Sequence, residues 1–316
     1  MSLYNIKKDK GMIIITGANG FLGSRLVQYL VDEGHTVYAL VRTGKTLPIN
    51  NSRVHVLEFE LEHILSLADK LPANADVYFN MAWAGFAPEQ RNDYQVQLQN
   101  IGYSLDTMKL LQKIKCKKVV FPGSASEYAY SGMAVTPGSL PAPAEAYSAS
   151  KVASRYLCSL YALQHNITFV WAAVTSIYGP GRADSNLITY TIKSLLKHQV
   201  PEFTKLEQKW DYLYVDDAVR ALALLGLADI AGGIYPVGSG TSHTLREYIE
   251  IIRDLTAPDM SLGIGKKPYK TAKIDNNIID ITALAQATGF VPQVEFAEGI
   301  AKTITYFKKL EEHDHV

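Results

Sequence analysis

The chain has 316 residues, 47% of them hydrophobic, and its 31 basic and 31 acidic side chains leave zero formal net charge. That balance offers no electrostatic footprint for nucleic acid or an anionic membrane surface, and the length suits one large domain or two modest ones with an ordinary core. Cys116 and Cys158 are the only cysteines and belong to no CxxC pair or histidine cluster, so neither a disulfide framework nor a structural metal site is expected.

The N-terminal "MSLYNIKKDKGMIIITG" places basic residues before an apolar run that stops at Thr-Gly. The run is too short for a signal peptide, and no other run reaches membrane-spanning length, so a cytoplasmic enzyme or binding protein is the expectation. "MIIIT" (12–16) reads as a strand buried on both faces. "FLGSRLVQYLVDEG" (21–34) reads as a helix with Phe21, Leu22, Leu26, Val27 and Leu30 on one side and Gly34 as its stop. "TVYALVR" (36–42), "VHVLEFEL" (54–61), "DVYFNMA" (76–82) and "KKVVFPGS" (117–124) read as further strands, with a long helix over 92–115 between the last two. Regular strand–helix alternation predicts an α/β fold with a doubly wound parallel sheet.

After "ITFVWAAVTSIYGPG" (167–181) the rhythm loosens. Helices are expected over "SNLITYTIKSLLKHQ", "TLREYIEIIRDLT" and "EGIAKTITYFKKLEEH", a strand or turn running into a helix over "WDYLYVDDAVRALALLGLA", and a short strand in "GIYPVGSG". The predicted division is a dinucleotide-binding domain over 1–175, to which later strands can return, and a smaller α/β lobe over 176–316 covering the sheet's carboxyl edge.

"TGANGFLG" follows the first strand directly and opens the first helix, with Gly17, Gly20 and Gly23 in a GxxGxxG pattern. The first glycine permits a sharp turn, the second admits a pyrophosphate, and the third lets the helix pack closely. The helix N-terminus presents free N–H groups to phosphates. In this strand–turn–helix context the pattern points to dinucleotide binding. An acid at the end of the second strand would hold the ribose 2′-hydroxyl and repel a 2′-phosphate. Here the strand ends in Arg42, with Lys45 close behind, which favours NADP(H) over NAD(H); a solvated strand-end charge is the alternative reading. Glu60 and Leu61, at the end of the third strand, are placed to line an adenine site.

"EAYSASK" sets Tyr147 and Lys151 four apart, on one helix face. "FPGSASEY" ends a strand upstream of it, and ligands bind at strand carboxyl ends in such sheets, so Ser124 is placed to meet Tyr147 beside a nicotinamide. Together "TGANGFLG", "NIGYSLDTMKLLQKIKCKKVVFPGSASEY", "YSASK", "SIYGPG", "NLI", "WDYLYVDDAVRAL" and "YPVGSG" resemble, in order and spacing over nearly the whole chain, the extended short-chain dehydrogenase/reductase superfamily. That branch, the NAD-dependent epimerase/dehydratase family, acts largely on nucleotide-linked sugars.

The resemblance implies a Rossmann-type sheet with a C-terminal substrate lobe, a nucleotide-sugar substrate and a homodimer. It implies Tyr147 as catalytic acid/base, Lys151 as the ribose-binding lysine that lowers the tyrosine's pKa, and Ser124 as hydrogen-bond partner of the reacting sugar oxygen. Asn19, Phe21, Leu22 and Ala82 join the glycines around the cofactor, and Asn100 matches a structural asparagine of the long helix. Asn186 and Leu187 match an element that contacts the sugar nucleotide, and Ser126 and Trp83 fall on the substrate side, the tryptophan with packing as its alternative. Departures from the pattern bear on the substrate. Ala125-Ser126 replaces the Asp-Glu pair of sugar-nucleotide dehydratases, which argues against 4,6-dehydration. Trp210 replaces an arginine that clamps the diphosphate, Ser176 replaces an asparagine, and Arg182 or Lys209 is left to hold phosphates, unless those two are solvated surface charges or the substrate lacks a nucleotide. The leading expectation is an NADP-dependent reductase of a 4-keto-6-deoxy nucleotide sugar. A nucleotide-sugar 4-epimerase with tightly bound NAD is the runner-up, and a non-catalytic dinucleotide sensor or scaffold the alternative of another class.

Overall fold

The isoleucine run 13–15 sets the layering: Ile13 and Ile15 point into one apolar core and Ile14 into a second, on the opposite side of the strand. Alternation of side chains in a β-strand makes this obligatory, and a run apolar at every position is stable only when both faces are covered. The computed structural model describes residues 11–128, 133–182, 186–269 and 276–314. The first ten residues, which bear on the expectation that the N-terminus is not a signal peptide, lie outside them.

The first half runs β1 (Met12–Thr16), α1 (Phe21–Asp32), β2 (Thr36–Arg42), β3 (Val54–Phe59), β4 (Val77–Asn80), α2 (Tyr94–Lys113), β5 (Lys118–Ser124), α3 (Ala146–Gln164) and β6 (Thr168–Val174). The second half runs β7 (Ser176–Tyr178), α4 (Leu187–Leu196), β8 (Lys209–Trp210), β9 (Tyr212–Tyr214), α5 (Val215–Leu227), β10 (Gly233–Val237), β11 (His243–Thr244), α6 (Leu245–Thr256), α7 (Thr282–Thr288) and α8 (Phe296–Asp314). Seven strands form one parallel sheet in the order β10-β6-β5-β4-β1-β2-β3. The doubly wound α/β fold of the sequence analysis is therefore present. Strand order reverses between β1 and β4, the crevice where such sheets bind ligands. The carboxyl ends are in line: Thr16 pairs with Leu40 and Asn80, and Ser124 and Val237 both pair with Val174.

The short strand of "GIYPVGSG" joins this sheet at its edge, beside β6. Predicted strand 54–61 is shorter, because Glu60 leaves the ladder and caps a 3-10 helix over Leu61–Leu67. Helix α5 lies on the sheet through Gly226, where a Cβ would stand 2.3 Å from the Phe79 ring. Around β7 and β9 a cluster of Tyr178, Tyr214, Tyr248 and Phe296 ties α6 and α8 together. A reciprocal Thr244–Glu247 capping box starts α6.

Helix α1 approaches its own loop so closely that a Cβ on Gly23 would lie 2.1 Å from the Gly17 carbonyl oxygen. Gly23→Ala must displace the helix, and is expected to cost about 1–3 kcal/mol as overpacking does. Urea unfolding checks this; an unchanged midpoint would show that the contact is not tight.

Candidate active site

The glycine loop fits a pyrophosphate. Helix α1 begins at Gly20 with no side-chain cap and no acidic residue in its first turn, leaving its first N–H groups for an anion. Gly17 has φ +61, and a Cβ there would meet Met81 C at 2.9 Å and Ala82 N at 3.0 Å. A Cβ on Gly20 would meet only the Gly17 carbonyl, at 3.2 Å, so its outer side is open. Asn19, Phe21 and Leu22 are half-buried around this turn, and the Ala82 N–H donates to Thr16 Oγ1 at 3.3 Å, tying the end of β4 to β1. Arg42, the last residue of β2, and Lys45 just past it are exposed; Arg42 pairs in register with Phe59, so half-buried Glu60 and Leu61 follow at the end of the neighbouring strand.

The residues expected to carry the chemistry meet where β4, β5 and α3 end or begin. Tyr147 stands in the first turn of α3, whose N-cap residue Glu145 makes no side-chain cap. The orphan N–H groups are satisfied from outside: Tyr147 N donates to the Arg91 carbonyl at 2.9 Å and Ala146 N to Asn92 Oδ1 at 3.0 Å. The loop that supplies these acceptors is itself lashed to α2. Buried Gln97 accepts from Trp83 Nε1 at 3.0 Å and donates to Gly85 O at 2.7 Å. Asn100 accepts from Ala84 N at 3.0 Å and donates to Ala84 O at 2.9 Å, a structural part as the resemblance implies.

Held in this way, Trp83 lays its indole over the Lys151 ammonium, 3.8 Å from the ring centroid, and meets the Tyr147 ring edge-on at 6.0 Å. Lys151 Nζ also donates to the Pro122 carbonyl at 2.8 Å. Ser124 Oγ lies 2.8 Å from Ser126 Oγ, and the Ser124 hydroxyl is near enough to Tyr147 to favour its phenolate. Ser124, Ser126, Trp83, Tyr147 and Lys151 thus form one cluster.

Two residues of the cluster escaped the sequence reading. Arg91 stacks its guanidinium on the Tyr147 ring, 4.3 Å from the centroid, pairs with Glu145, and reaches Ser126 Oγ at 3.5 Å. Glu127 is fully buried beneath Ser124. Neither lies at a patterned spacing from Tyr147, so no signal in the chain marks them. They also correct the electrostatics. Burial pushes the Tyr147 phenol up to about 12, and the strongest opposing charge is Arg91, the neighbouring carboxylates Glu127 and Glu145 adding to the rise. Lys151, expected to lower this pKa, is not among the groups that do so: it lies 5.8 Å from the ring centroid, and burial weakens its own hold on a proton.

On the substrate side, the two departures Trp210 and Ser176 touch each other: Trp210 Nε1 donates to Ser176 Oγ at 2.9 Å. Arg182 donates to Ile177 O at 2.8 Å and lies over the Phe21 ring, next to the glycine loop. Lys209 is exposed. Asn186 caps α4 through Thr189 N at 3.0 Å, and Leu187 begins that helix. Among the described residues no group of histidine, cysteine or carboxylate side chains could hold a metal ion, and no helix is long and apolar enough to cross a membrane.

The glycine turn thus stands at the switch point, with the serine–tyrosine–lysine cluster at the same sheet edge. Residues 13–238 match the NAD dependent epimerase/dehydratase family. The chain belongs to that family. It is an enzyme of the short-chain dehydrogenase/reductase type, whose relatives modify nucleotide sugars. It is 27% identical to GDP-6-deoxy-D-mannose reductase of Pseudomonas aeruginosa, over 91% of this chain and 94% of that one. It is 26% identical to UDP-glucose 4-epimerase of Mycolicibacterium smegmatis, over 93% and 98%. Its fold matches the crystal structure of Thermotoga maritima UDP-glucose 4-epimerase with UDP-glucose, at a TM-score of 0.83 and 21% identity, over 95% and 99% of the two chains.

The lashing of the 83–92 loop makes a prediction. Asn100→Ala leaves the Ala84 N–H and carbonyl without their partners and should destabilise the protein by about 1–3 kcal/mol. Chemical unfolding reads the change; wild-type stability would show that Asn100 does not hold the loop.

Proposed function

We propose that the protein is an NADP-dependent reductase of a 4-keto-6-deoxy sugar nucleotide. The carrying observation is exposed Arg42 at the end of β2, where a 2′-phosphate finds a guanidinium instead of a repelling carboxylate. The absence of carboxyl side chains at Ala125 and Ser126 supports reduction over dehydration. Gly17, Asn19, Gly20, Phe21, Leu22, Gly23 and Ala82 would hold the dinucleotide, with Glu60 and Leu61 beside its adenine. When bound, the reduced nicotinamide supplies a hydride to the carbonyl carbon of the sugar.

The protein's own share is positioning and proton delivery. Tyr147 gives its hydroxyl proton to the carbonyl oxygen as that oxygen gains charge, and Ser124 donates a hydrogen bond to it. Arg91 on the ring face and Lys151 one helical turn away then confront the phenolate, which regains its proton from solvent. Trp83 and Ser126 at the sheet's carboxyl edge, and Ser176, Arg182, Asn186, Leu187 and Trp210 in a substrate lobe over 176–316, are assigned to the sugar nucleotide. The indole–hydroxyl pair of Trp210 and Ser176 offers stacking and a hydrogen bond where a diphosphate clamp is expected.

A 4-epimerase that retains NAD is the second reading, favoured by an epimerase relative of nearly the same identity. It uses Tyr147 first as base and then as acid. A homodimer is part of the proposal: exposed Tyr94 and Leu98 on α2 and Tyr156, Leu160 and Leu163 on α3 form an apolar surface suited to a second copy.

The purified protein separates the two activities. NADPH consumed in equal amount with a dTDP- or GDP-linked 4-keto-6-deoxy sugar supports the reductase. Interconversion of UDP-glucose and UDP-galactose without added cofactor, from protein that already carries NAD, overturns it in favour of the epimerase. For whichever reaction is found, Tyr147→Phe should lower turnover about 10²- to 10⁴-fold, and undiminished turnover would refute the role of the phenol. Arg42→Ala should weaken NADP binding about 10- to 100-fold, as loss of a charge-assisted phosphate contact does. NAD affinity should hold in the same titration, and an equal loss for both would discard the NADP argument.

A further inference from the structure

Helix α3 buries two cations on one side, one turn apart: Lys151 is 6% exposed and Arg155 5%. Like charges at this spacing repel, and each has lost most of its hydration. Between them and the sheet lies one carboxylate. Glu127, 0% exposed, comes from the turn after β5 and sits 4.0 Å from Arg155 Nε. Its oxygens accept from Ser124 N at 2.7 Å and from Trp171 Nε1, which is 3.1 Å from each of them. The chain makes room for this arrangement at Gly123, where a Cβ would stand 2.1 Å from Trp171 Nε1 and 2.7 Å from Glu127 Oε1. The Trp171 ring also faces Lys151 Nζ, at 5.9 Å.

We propose that Glu127 is a positioning residue for the catalytic cluster: it anchors Ser124 through its backbone and supplies the counter-charge that keeps the Lys151 ammonium protonated. Desolvation drives Lys151 towards the neutral amine, and Glu127 is the group that opposes it. The same burial raises the Glu127 carboxyl, while Ser124, Arg155, Lys151 and Trp171 hold it down. The other titratable and charged groups around the pair are Tyr147 on α3, Tyr128 on the same turn, which accepts from Arg155 at 2.6 Å, and Arg91 and Glu145 against the Tyr147 ring. Glu145, the other carboxylate near the pair, is engaged by Arg91; the neutralising charge for Lys151 therefore comes from Glu127.

The inference rests on Lys151 being a working cation of the site. Its test reads protonation in the cofactor-free chain, so it can fail while the proposed reaction stands. The full-length protein is labelled with [13C]lysine, and the Lys151 Cε resonance is assigned by its loss in Lys151→Met and followed against pH. Glu127→Gln keeps an acceptor for Ser124 N but removes the charge, so the lysine should lose its proton at lower pH. The Lys151 midpoint is expected to fall by at least about one pH unit, a tenfold change in proton affinity, whereas Glu127→Asp should keep it nearer the wild-type value. Equal midpoints in the wild type and Glu127→Gln overturn the proposal. Should Glu127→Gln fail to fold, Trp171→Phe withdraws the indole hydrogen bonds from the intact carboxylate. A smaller downward shift then supports the proposal, and an unmoved midpoint overturns it.

Discussion

The site depends on keeping a lysine ammonium almost out of water. Transfer of a charge from water is costly unless fixed polar groups replace the lost hydration. Around Lys151 those groups are the Pro122 carbonyl, the face of Trp83 and the Glu127 carboxylate. Each requires support of its own. Trp83 is held by Gln97, the rest of its loop by Asn100, and Glu127 by Trp171 and the backbone of Ser124. The order around the cluster follows from the need to satisfy one buried charge.

The same logic explains how distant segments meet. Parallel strands bring Thr16, Asn80, Ser124 and Val174 to one edge of the sheet. At that edge the glycine turn offers unpaired N–H groups to an anion, and α3 offers hydroxyl and ammonium groups. The segment between β4 and α2 bridges the chemical parts. It stacks Trp83 and Arg91 on Lys151 and Tyr147 and caps the start of α3 with the Arg91 carbonyl and Asn92. Phenol, ammonium and cap therefore share one support.

Much of this was legible in the residues. The isoleucine run announced a strand buried on both sides, and the 3.6-residue period with Gly34 announced α1 and its stop. Gly17 and Gly23 were legible because the backbone excludes a Cβ at those positions, whatever surrounds them. Other parts had no local signal. Glu127 reads as one more polar residue in a loop until β6 brings Trp171 beneath it. Arg91 lies 56 positions before Tyr147, a pairing set by the packing of α2 on α3. Trp210 and Ser176 were each visible as departures, but only the β7–β9 pairing shows that one accommodates the other. That a later strand could return to the main sheet was legible, but which one, and in what register with β6, is a tertiary property.

The central claim is that two hydroxyls, on β5 and α3, converge on one oxygen of the substrate while a buried cation stands behind them. A crystal structure with NADP and a sugar nucleotide bound tests it most directly. The account predicts Ser124 Oγ and Tyr147 Oη within about 3.2 Å of the same sugar oxygen, with Lys151 still one turn below the phenol. A sugar seated beyond reach of both hydroxyls, or a Tyr147 side chain turned away from Ser124, would contradict it.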